Sequence, residues 1–254
     1  MNEDEVVPEK LGSPINYKII ALVAALVIGF HITVNVIKES DALVYGFSMI
    51  IPASISIFSF ITAQRYAGTL VYARAYKMLG IAFIGIFLGE LTYFVYEQIL
   101  VLDPYPSIAD VFFYSFYPMV ALYLIINIRF FSSKIDKLGI LTLLGIPLVI
   151  TLAYLFLTMS DENGFDFFYG VAFVAATSTT LGLSIHTFRI FKGGLIGTSW
   201  LTLVIGIIFL VAGDTWYYYI EVYESYSLDD PVNLFWYSGY LLILYSLYQH
   251  KKSL

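Results

Sequence analysis

Long apolar segments are the feature that most restricts how this chain can fold. A helix that spans a bilayer needs about 20 consecutive, mainly apolar residues, and the 254-residue sequence contains eight such windows. Because 59% of the residues are hydrophobic and only 13% are charged, an ordinary water-soluble surface is excluded. We therefore predict an all-α polytopic membrane protein with eight transmembrane helices. The windows lie near 17–37, 42–63, 78–98, 108–130, 138–158, 166–188, 196–220 and 231–249.

Basic residues are divided unevenly between the two ends of these windows. Twelve of the 13 lysines and arginines fall at one end, with Lys38 as the exception, whereas the loops at the other end are rich in Asp and Glu. Positive residues near helix ends prefer the cytoplasm. We therefore expect a multi-pass protein of the cell membrane with both termini in the cytoplasm and an acidic outer face. Residues 1–16 lack the basic region of a secretory signal, and we interpret them as a cytoplasmic tail.

The second half of the chain resembles the first. The stretch GELTYFVYEQ, which begins at Gly89, aligns with GDTWYYYIEV, which begins at Gly213, at an offset of 124 residues. This alignment pairs Glu90 with Asp214 and Tyr93 with Tyr217. Two further blocks align in the same order, 45–65 with 169–189 and, at an offset of 123, 109–117 with 232–240. The last block pairs Asp110 with Asn233, Tyr114 with Tyr237 and Tyr117 with Tyr240.

A unit of four helices returns the chain to the side of the membrane from which it started. Two such units are therefore parallel repeats, related by an axis along the membrane normal. We predict a first four-helix repeat at 17–130 and a second at 131–254, so that helices one to four correspond to helices five to eight.

Carboxylates inside the windows point to a site. Placing an acid in hydrocarbon costs about 2.5–3.5 kcal/mol on insertion scales, so such residues normally face the interior of the helix bundle. Following the chain through the membrane, the matched polar residues fall at similar depth in the outer half. We predict an outward-facing polar cavity in which the tyrosines orient the bound molecule through hydrogen bonds. The candidate ligand-binding residues are Glu90, Tyr93, Asp110, Asp214, Tyr217 and Asn233.

Other interpretations of these residues remain open. The acids can instead bind tyrosine hydroxyls and fix helix packing, because polar pairs in membranes often hold helices together. A metal site built from His31, Glu90 and Asp110 has none of the spacings that fix ligands on one helix face, so we predict no metal. Nucleotide, phosphate and serine-hydrolase motifs do not occur, and the sequence has no cysteine. We therefore predict no catalytic residue and no cofactor. His186 and His250 are expected to lie at the membrane interface.

One motif resembles a known family. The run Pro-Ser-x-Ala-Asp-x-x-Phe-Tyr-x-x-Tyr-Pro, from Pro106 to Pro118, resembles the multi-helix membrane sensory region found before GGDEF and EAL domains in bacteria. The glycine–acid pairs at 89–90 and 213–214 and the stretch WYSGY at 236–240 match other parts of that region. Position 90 is Glu where the pattern usually has Asp. Because the 254 residues contain no GGDEF or EAL domain, the resemblance implies a stand-alone sensory module.

The sequence therefore predicts a sensor-like module that binds a small ligand or cation and signals to a partner. Its expected partners are the lipid bilayer and a separate signalling protein or membrane complex, with no nucleic acid. The alternatives are a small-solute transporter, a membrane hydrolase similar to lysoplasmalogenases, and a subunit of a larger membrane complex.

Overall fold

The computed structural model describes residues 15–37, 40–132, 134–160, 164–193, 196–223 and 226–253. Nearly all of the predicted tail, 1–14, lies outside the described residues. So do several charged loop residues used in the prediction of orientation: Lys38, Glu39, Asp161, Glu162 and Glu224. All regular secondary structure in the described ranges is helical. The predicted all-α class is confirmed.

Within the described ranges, eight long helices follow the eight apolar windows. The first seven are long and apolar enough to cross a membrane, whereas the eighth has 22 residues but is more polar. The helices are α1 Tyr17–Val36, α2 Asp41–Arg65, α3 Tyr72–Leu100, α4 Ile108–Phe131, α5 Lys137–Thr158, α6 Phe165–Phe191, α7 Gly197–Tyr223 and α8 Val232–Ser253. Residues 95–100 of α3 and 141–145 of α5 form π-helical turns.

Six of the helices close into a ring. Contacts run from α2 to α3, α3 to α4, α4 to α6, α6 to α7, α7 to α8, and from α8 back to α2. The other two helices lie outside the ring, α1 mainly against α8 and α5 mainly against α6. A cavity inside the ring can therefore be lined by both halves of the chain.

The outer helices show the chemistry of a lipid-facing surface. On α5, four large apolar side chains repeat every four residues and therefore lie along one face of the helix. These residues, Leu144, Leu148, Leu152 and Phe156, are between 53% and 87% exposed. A continuous apolar stripe of this kind is unfavourable in water but is the expected surface in contact with lipid tails.

Two histidines differ from the prediction. His186 and His250, near helix ends, were predicted to snorkel or to lie at the membrane interface, but their side chains are only 4% and 2% exposed, so they do not extend out of the bundle. The ring of His250 is surrounded by Tyr66, Tyr72 and Tyr76, with ring centroids 5.2–6.0 Å away. A histidine near the end of an apolar helix is usually predicted to lie at the interface. Here aromatic side chains from neighbouring helices bury His250 inside the bundle.

Candidate ligand-binding cavity

A cavity of about 110 Å³ lies inside the ring, near the end at which α2, α4, α6 and α8 begin. We call this the acidic end of the bundle. The structure brings all six predicted site residues to its wall: Glu90, Tyr93, Asp110, Asp214, Tyr217 and Asn233. Both halves of the chain contribute to the lining. Whether these residues bind a ligand stays a prediction.

The glycine in each glycine–acid pair makes room for an aromatic ring. A Cβ added to Gly89 would lie 2.6 Å from the ring of Phe113 on α4, and one added to Gly213 would lie 2.8 Å from the ring of Trp236 on α8. Real Cβ contacts are almost never this short, so the ring packs directly on the helix backbone only because no side chain intervenes. In both halves of the chain, the acid therefore comes directly after the glycine on which an aromatic ring of the following helix packs.

Asp214 is fully engaged by protein donors. It is 9% exposed, and its Oδ1 accepts a hydrogen bond of 3.0 Å from the Trp236 indole nitrogen. Its Oδ2 accepts one from the Tyr117 hydroxyl and another, of 3.1 Å, from Thr177 Oγ1. Three donors from three different helices satisfy the carboxylate. This arrangement fixes α4, α6 and α8 around α7.

Glu90 has far fewer donors. In the described part of the chain its side-chain donor is the Ser48 hydroxyl on α2, and Ser48 Oγ is in turn 2.9 Å from the Tyr237 hydroxyl. The repeat alignment explains the difference. The positions that correspond to Thr177 and Trp236 are Ala53 and Phe113, neither of which has a donor in its side chain.

Asp110 and Asn233 stabilise helix beginnings as well as lining the cavity. Asp110 closes a capping box, in which its Oδ2 accepts from the Ser107 backbone nitrogen at 2.7 Å. Asn233 donates to the Leu228 carbonyl at 2.9 Å and accepts from the Tyr226 hydroxyl at 3.1 Å. These contacts satisfy groups at the first turns of α4 and α8. Much of the polarity at these two positions therefore has a structural use.

A layer of tyrosines lies between the cavity and a wider space at the acidic end. The wider space, which we call the vestibule, has a volume of about 720 Å³. Five residues line both spaces and form what we call the tyrosine layer: Tyr45, Tyr93, Tyr217, Tyr226 and Leu228. The matched pair Tyr93 and Tyr217 meet through their hydroxyls. They therefore contribute to a boundary across the ring as well as to the cavity wall.

The charges around both spaces are of one sign. Three acids line the cavity, and five line the vestibule: Asp41, Glu97, Asp103, Glu221 and Asp229. No lysine or arginine is among the described residues that line either space. Since like charges in a cleft reinforce one another, the local potential attracts cations and repels anions.

Tyrosine hydroxyls at the acidic end remain donors at physiological pH. Burial raises the pKa of Tyr105, and so does its hydrogen bond to Asp166, in which the hydroxyl donates to Oδ1 at 2.8 Å. Burial likewise raises the pKa of Tyr226 well above its usual range. Both hydroxyls therefore keep their protons while they engage neighbouring acceptors.

His31, the histidine considered as a metal ligand and set aside, lies apart from the cavity wall. His31 is not among the lining residues, and Asn35 Nδ2 donates to its backbone oxygen at 2.9 Å. Within the described ranges, no three His, Asp or Glu side chains converge as metal ligands would.

The prediction missed several residues that complete the site. Tyr117, Thr177 and Trp236 engage Asp214, while Ser48 engages Glu90. The sequence carried a signal for Tyr117 and Trp236, which lie in the aligned block and in the WYSGY element. Ser48 lies in the aligned block 45–65, but its counterpart is Ala172, so the alignment gave no matched polar pair at that position.

Comparison with known proteins does not assign a function to this cavity. The chain matches no family model, no curated protein and no solved structure. The site therefore has to be interpreted from its own chemistry.

Proposed function

We propose that this protein is a sensor of the cell membrane that binds a small molecule or cation in its cavity and signals through a change in helix packing. One observation carries the proposal: acids and tyrosines from both halves of the chain line a single cavity next to an acidic vestibule. Intramembrane acids are expensive unless they serve packing or a ligand. Packing accounts for Asp214 but not for Glu90.

The proposed architecture is two parallel four-helix repeats with both termini in the cytoplasm. The helix contacts support it, because α2 meets α8 and the corresponding helix α6 meets α4. The contacts of α2 with α3 and of α3 with α4 likewise recur between α6 and α7 and between α7 and α8. An axis through the ring that relates the halves would pass close to the cavity, where Tyr93 meets Tyr217.

The sensory role rests on the resemblance to the membrane regions that precede GGDEF and EAL domains. A molecule bound inside the ring contacts helices that run to the opposite end of the bundle. Binding that favours one arrangement of those helices shifts their population, and a separate signalling protein would read the shift. Shifts of 1–2 Å between packed helices are typical of such transitions.

Ligand binding can be tested without knowing the ligand. Purified protein in nanodiscs would be heated with a panel of small amines, amino acids, alcohols and inorganic cations, and saturable increases in melting temperature recorded. Ile86→Trp fills the cavity, because Ile86 lines it and is 6% exposed. Ile84→Trp is the matched control, because Ile84 lies on the same helix and is 38% exposed.

We expect at least one saturable shift that Ile86→Trp abolishes and Ile84→Trp preserves. Leu210→Trp, on the opposite wall of the cavity, repeats the test if the first variant does not fold. Binding in the cavity is disproved if no member of the panel gives such a shift, or if every shift survives in the folded cavity-filling variants.

Signalling and orientation need separate measurements. The chain has no cysteine, so spin labels at Leu70→Cys and Leu138→Cys report only on those exposed positions at the opposite end. A cavity-dependent ligand should shift their distance distribution by about 1–2 Å; an unchanged distribution would contradict the sensory role. Impermeant maleimide should label Asp229→Cys in intact cells but Leu138→Cys only after lysis, and the reverse pattern would overturn the orientation.

A further inference from the structure

We propose that the cavity binds a small organic cation, a protonated amine with only a few heavy atoms, whose ammonium group is held by Glu90 and by the hydroxyl oxygen of Tyr45. This inference rests on the proposed function, because it names the class of molecule that the cavity takes. It is drawn from the difference between the two acids, the buried tyrosine hydroxyl, the charge of the walls and the size of the space.

The two acids differ in what they leave for a ligand. Three protein donors already occupy Asp214, whereas Glu90 receives the Ser48 hydroxyl. A carboxylate has about four lone-pair positions, and an ammonium group offers three N–H donors. A ligand with N–H groups and a positive charge supplies what α2 and α4 fail to supply at Glu90, where Ala53 and Phe113 replace the threonine and the indole.

The Tyr45 hydroxyl gives an independent indication of a ligand. Tyr45 is 2% exposed, and its hydroxyl has no hydrogen-bond partner among the described residues. Its side chain lines both the cavity and the vestibule. Buried hydroxyls are nearly always paired, and leaving one unpaired costs about 1–3 kcal/mol. A donor on the ligand would pair with this oxygen while a second donor reaches Glu90.

The walls favour an amine over a metal ion. A small divalent ion needs several converging oxygen or nitrogen ligands, and the described residues bring no such set together. The cavity is instead rich in aromatic rings, including Phe113, Phe116 and Tyr240. Aromatic faces attract organic cations with about 0.5–2 kcal/mol each. The eight surrounding acids disfavour anions, since no lysine or arginine is among the described residues that line either space.

Volume limits the size of the amine. The cavity, at about 110 Å³, is somewhat smaller than an engineered protein cavity of about 150 Å³ that accommodates benzene. The ligand therefore has a handful of heavy atoms. Methylammonium and propylammonium are suitable probes, and tetraethylammonium tests the upper limit, since its four ethyl groups also bury the charge and remove every N–H donor.

The test is calorimetric titration of the full chain in nanodiscs. Methylammonium chloride and propylammonium chloride would be compared with sodium chloride at equal ionic strength, and with propanol as the uncharged analogue. We expect saturable binding of at least one amine, with no saturable binding of propanol, sodium or tetraethylammonium. Sodium binding equal to that of the amines would overturn the choice of an organic cation.

Variants locate the ammonium group. Glu90→Gln should weaken amine binding roughly 10- to 100-fold, the usual effect of losing a charged hydrogen bond. Glu97→Gln is the matched control, because Glu97 lies two turns along the same helix and lines the vestibule alone; it should change affinity less than about threefold. Phe113→Trp should also weaken binding about tenfold, because its indole N–H would occupy Glu90 as Trp236 occupies Asp214.

Each failure has a distinct meaning. If Glu90→Gln does not fold, Phe113→Trp and Tyr45→Phe, which keep an aromatic ring in place, carry the test. Equal losses in the Glu90 and Glu97 variants would refute the ammonium site. If an uncharged solute binds and Ile86→Trp abolishes its binding while the amines do not bind, the proposed function stands and the amine is wrong. If nothing binds in the cavity, both proposals fall.

Discussion

The Asp214 network predicts a large difference between two chemically identical substitutions. Tyr117→Phe removes the hydroxyl that donates to the Asp214 carboxylate. Tyr240→Phe removes the hydroxyl at the aligned position, which makes no hydrogen bond within the described part of the chain and borders the cavity. Both residues are well buried, at 5% and 7% exposure, so the two changes remove the same atom from comparable surroundings.

The expected loss of stability follows from the type of hydrogen bond that is removed. A hydrogen bond to a charged group contributes about 1.5–3 kcal/mol, and a buried carboxylate that loses a donor also keeps its desolvation penalty. We therefore expect Tyr117→Phe to lower the free energy of unfolding by about 1.5–3 kcal/mol. Removal of an unpaired hydroxyl should change it by less than about 0.5 kcal/mol, or stabilise the protein slightly.

Reversible unfolding in mixed micelles, followed by tryptophan fluorescence and far-UV circular dichroism, measures the difference. The double variant completes a cycle, and because no hydrogen bond joins the two hydroxyls among the described residues, the coupling energy should be smaller than the loss from Tyr117→Phe alone. Equal losses for the two single variants would refute the assignment of Asp214 as the structural acid. So would a Tyr117→Phe variant that is as stable as the wild type.

Three further predictions concern packing, charge and lipid contact. Gly213→Ala should destabilise the protein by about 1–3 kcal/mol by displacing the ring above it, while Gly29→Ala, in open space, should be neutral or favourable in the same unfolding assay. Arg189, whose Nη2 lies 2.9 Å from Asp136 Oδ2, and the Gly139 N–H together hold the pKa of Asp136 below its usual range. Its stabilising contribution is therefore complete above about pH 4 and lost as pH falls below that value, so the difference in melting temperature between wild type and Asp136→Asn should close on acidification; a constant difference would contradict this. Leu79→Ala, at 1% exposure, should cost about 2–5 kcal/mol, whereas Leu148→Ala, at 59%, should cost far less; similar losses would argue against the lipid-facing assignment of α5.

The helices could be predicted because each depends on local composition. Runs of about 20 apolar residues leave a membrane chain no alternative to helix, and the observed helices overlap all eight windows. The main difference is at α3, which begins at Tyr72 rather than near residue 78. Arg74 and Lys77 lower the hydropathy of that turn without preventing it from being helical.

That the matched polar residues lie at one level of the bundle was also predictable, since it follows from helix length and direction. The pairing between them was not. Whether Tyr117 reaches Asp214, and whether Tyr45 is left without a partner, depends on the rotation of each helix about its own axis and on contacts between distant parts of the chain. Burial of His250 among three tyrosines likewise depends on how α8 packs in the ring.

The tyrosine layer bears on the rate at which a bound molecule exchanges. A molecule that moves between vestibule and cavity has to pass rings that are packed against one another, such as Tyr217 against Tyr226 at 5.3 Å. Passage therefore waits for a collective movement of these side chains, and buried rings move more slowly than exposed ones. We therefore expect substitutions at Tyr226 and Leu228, which are not among the proposed ligand contacts, to change how long an occupant stays before they change how tightly it is held.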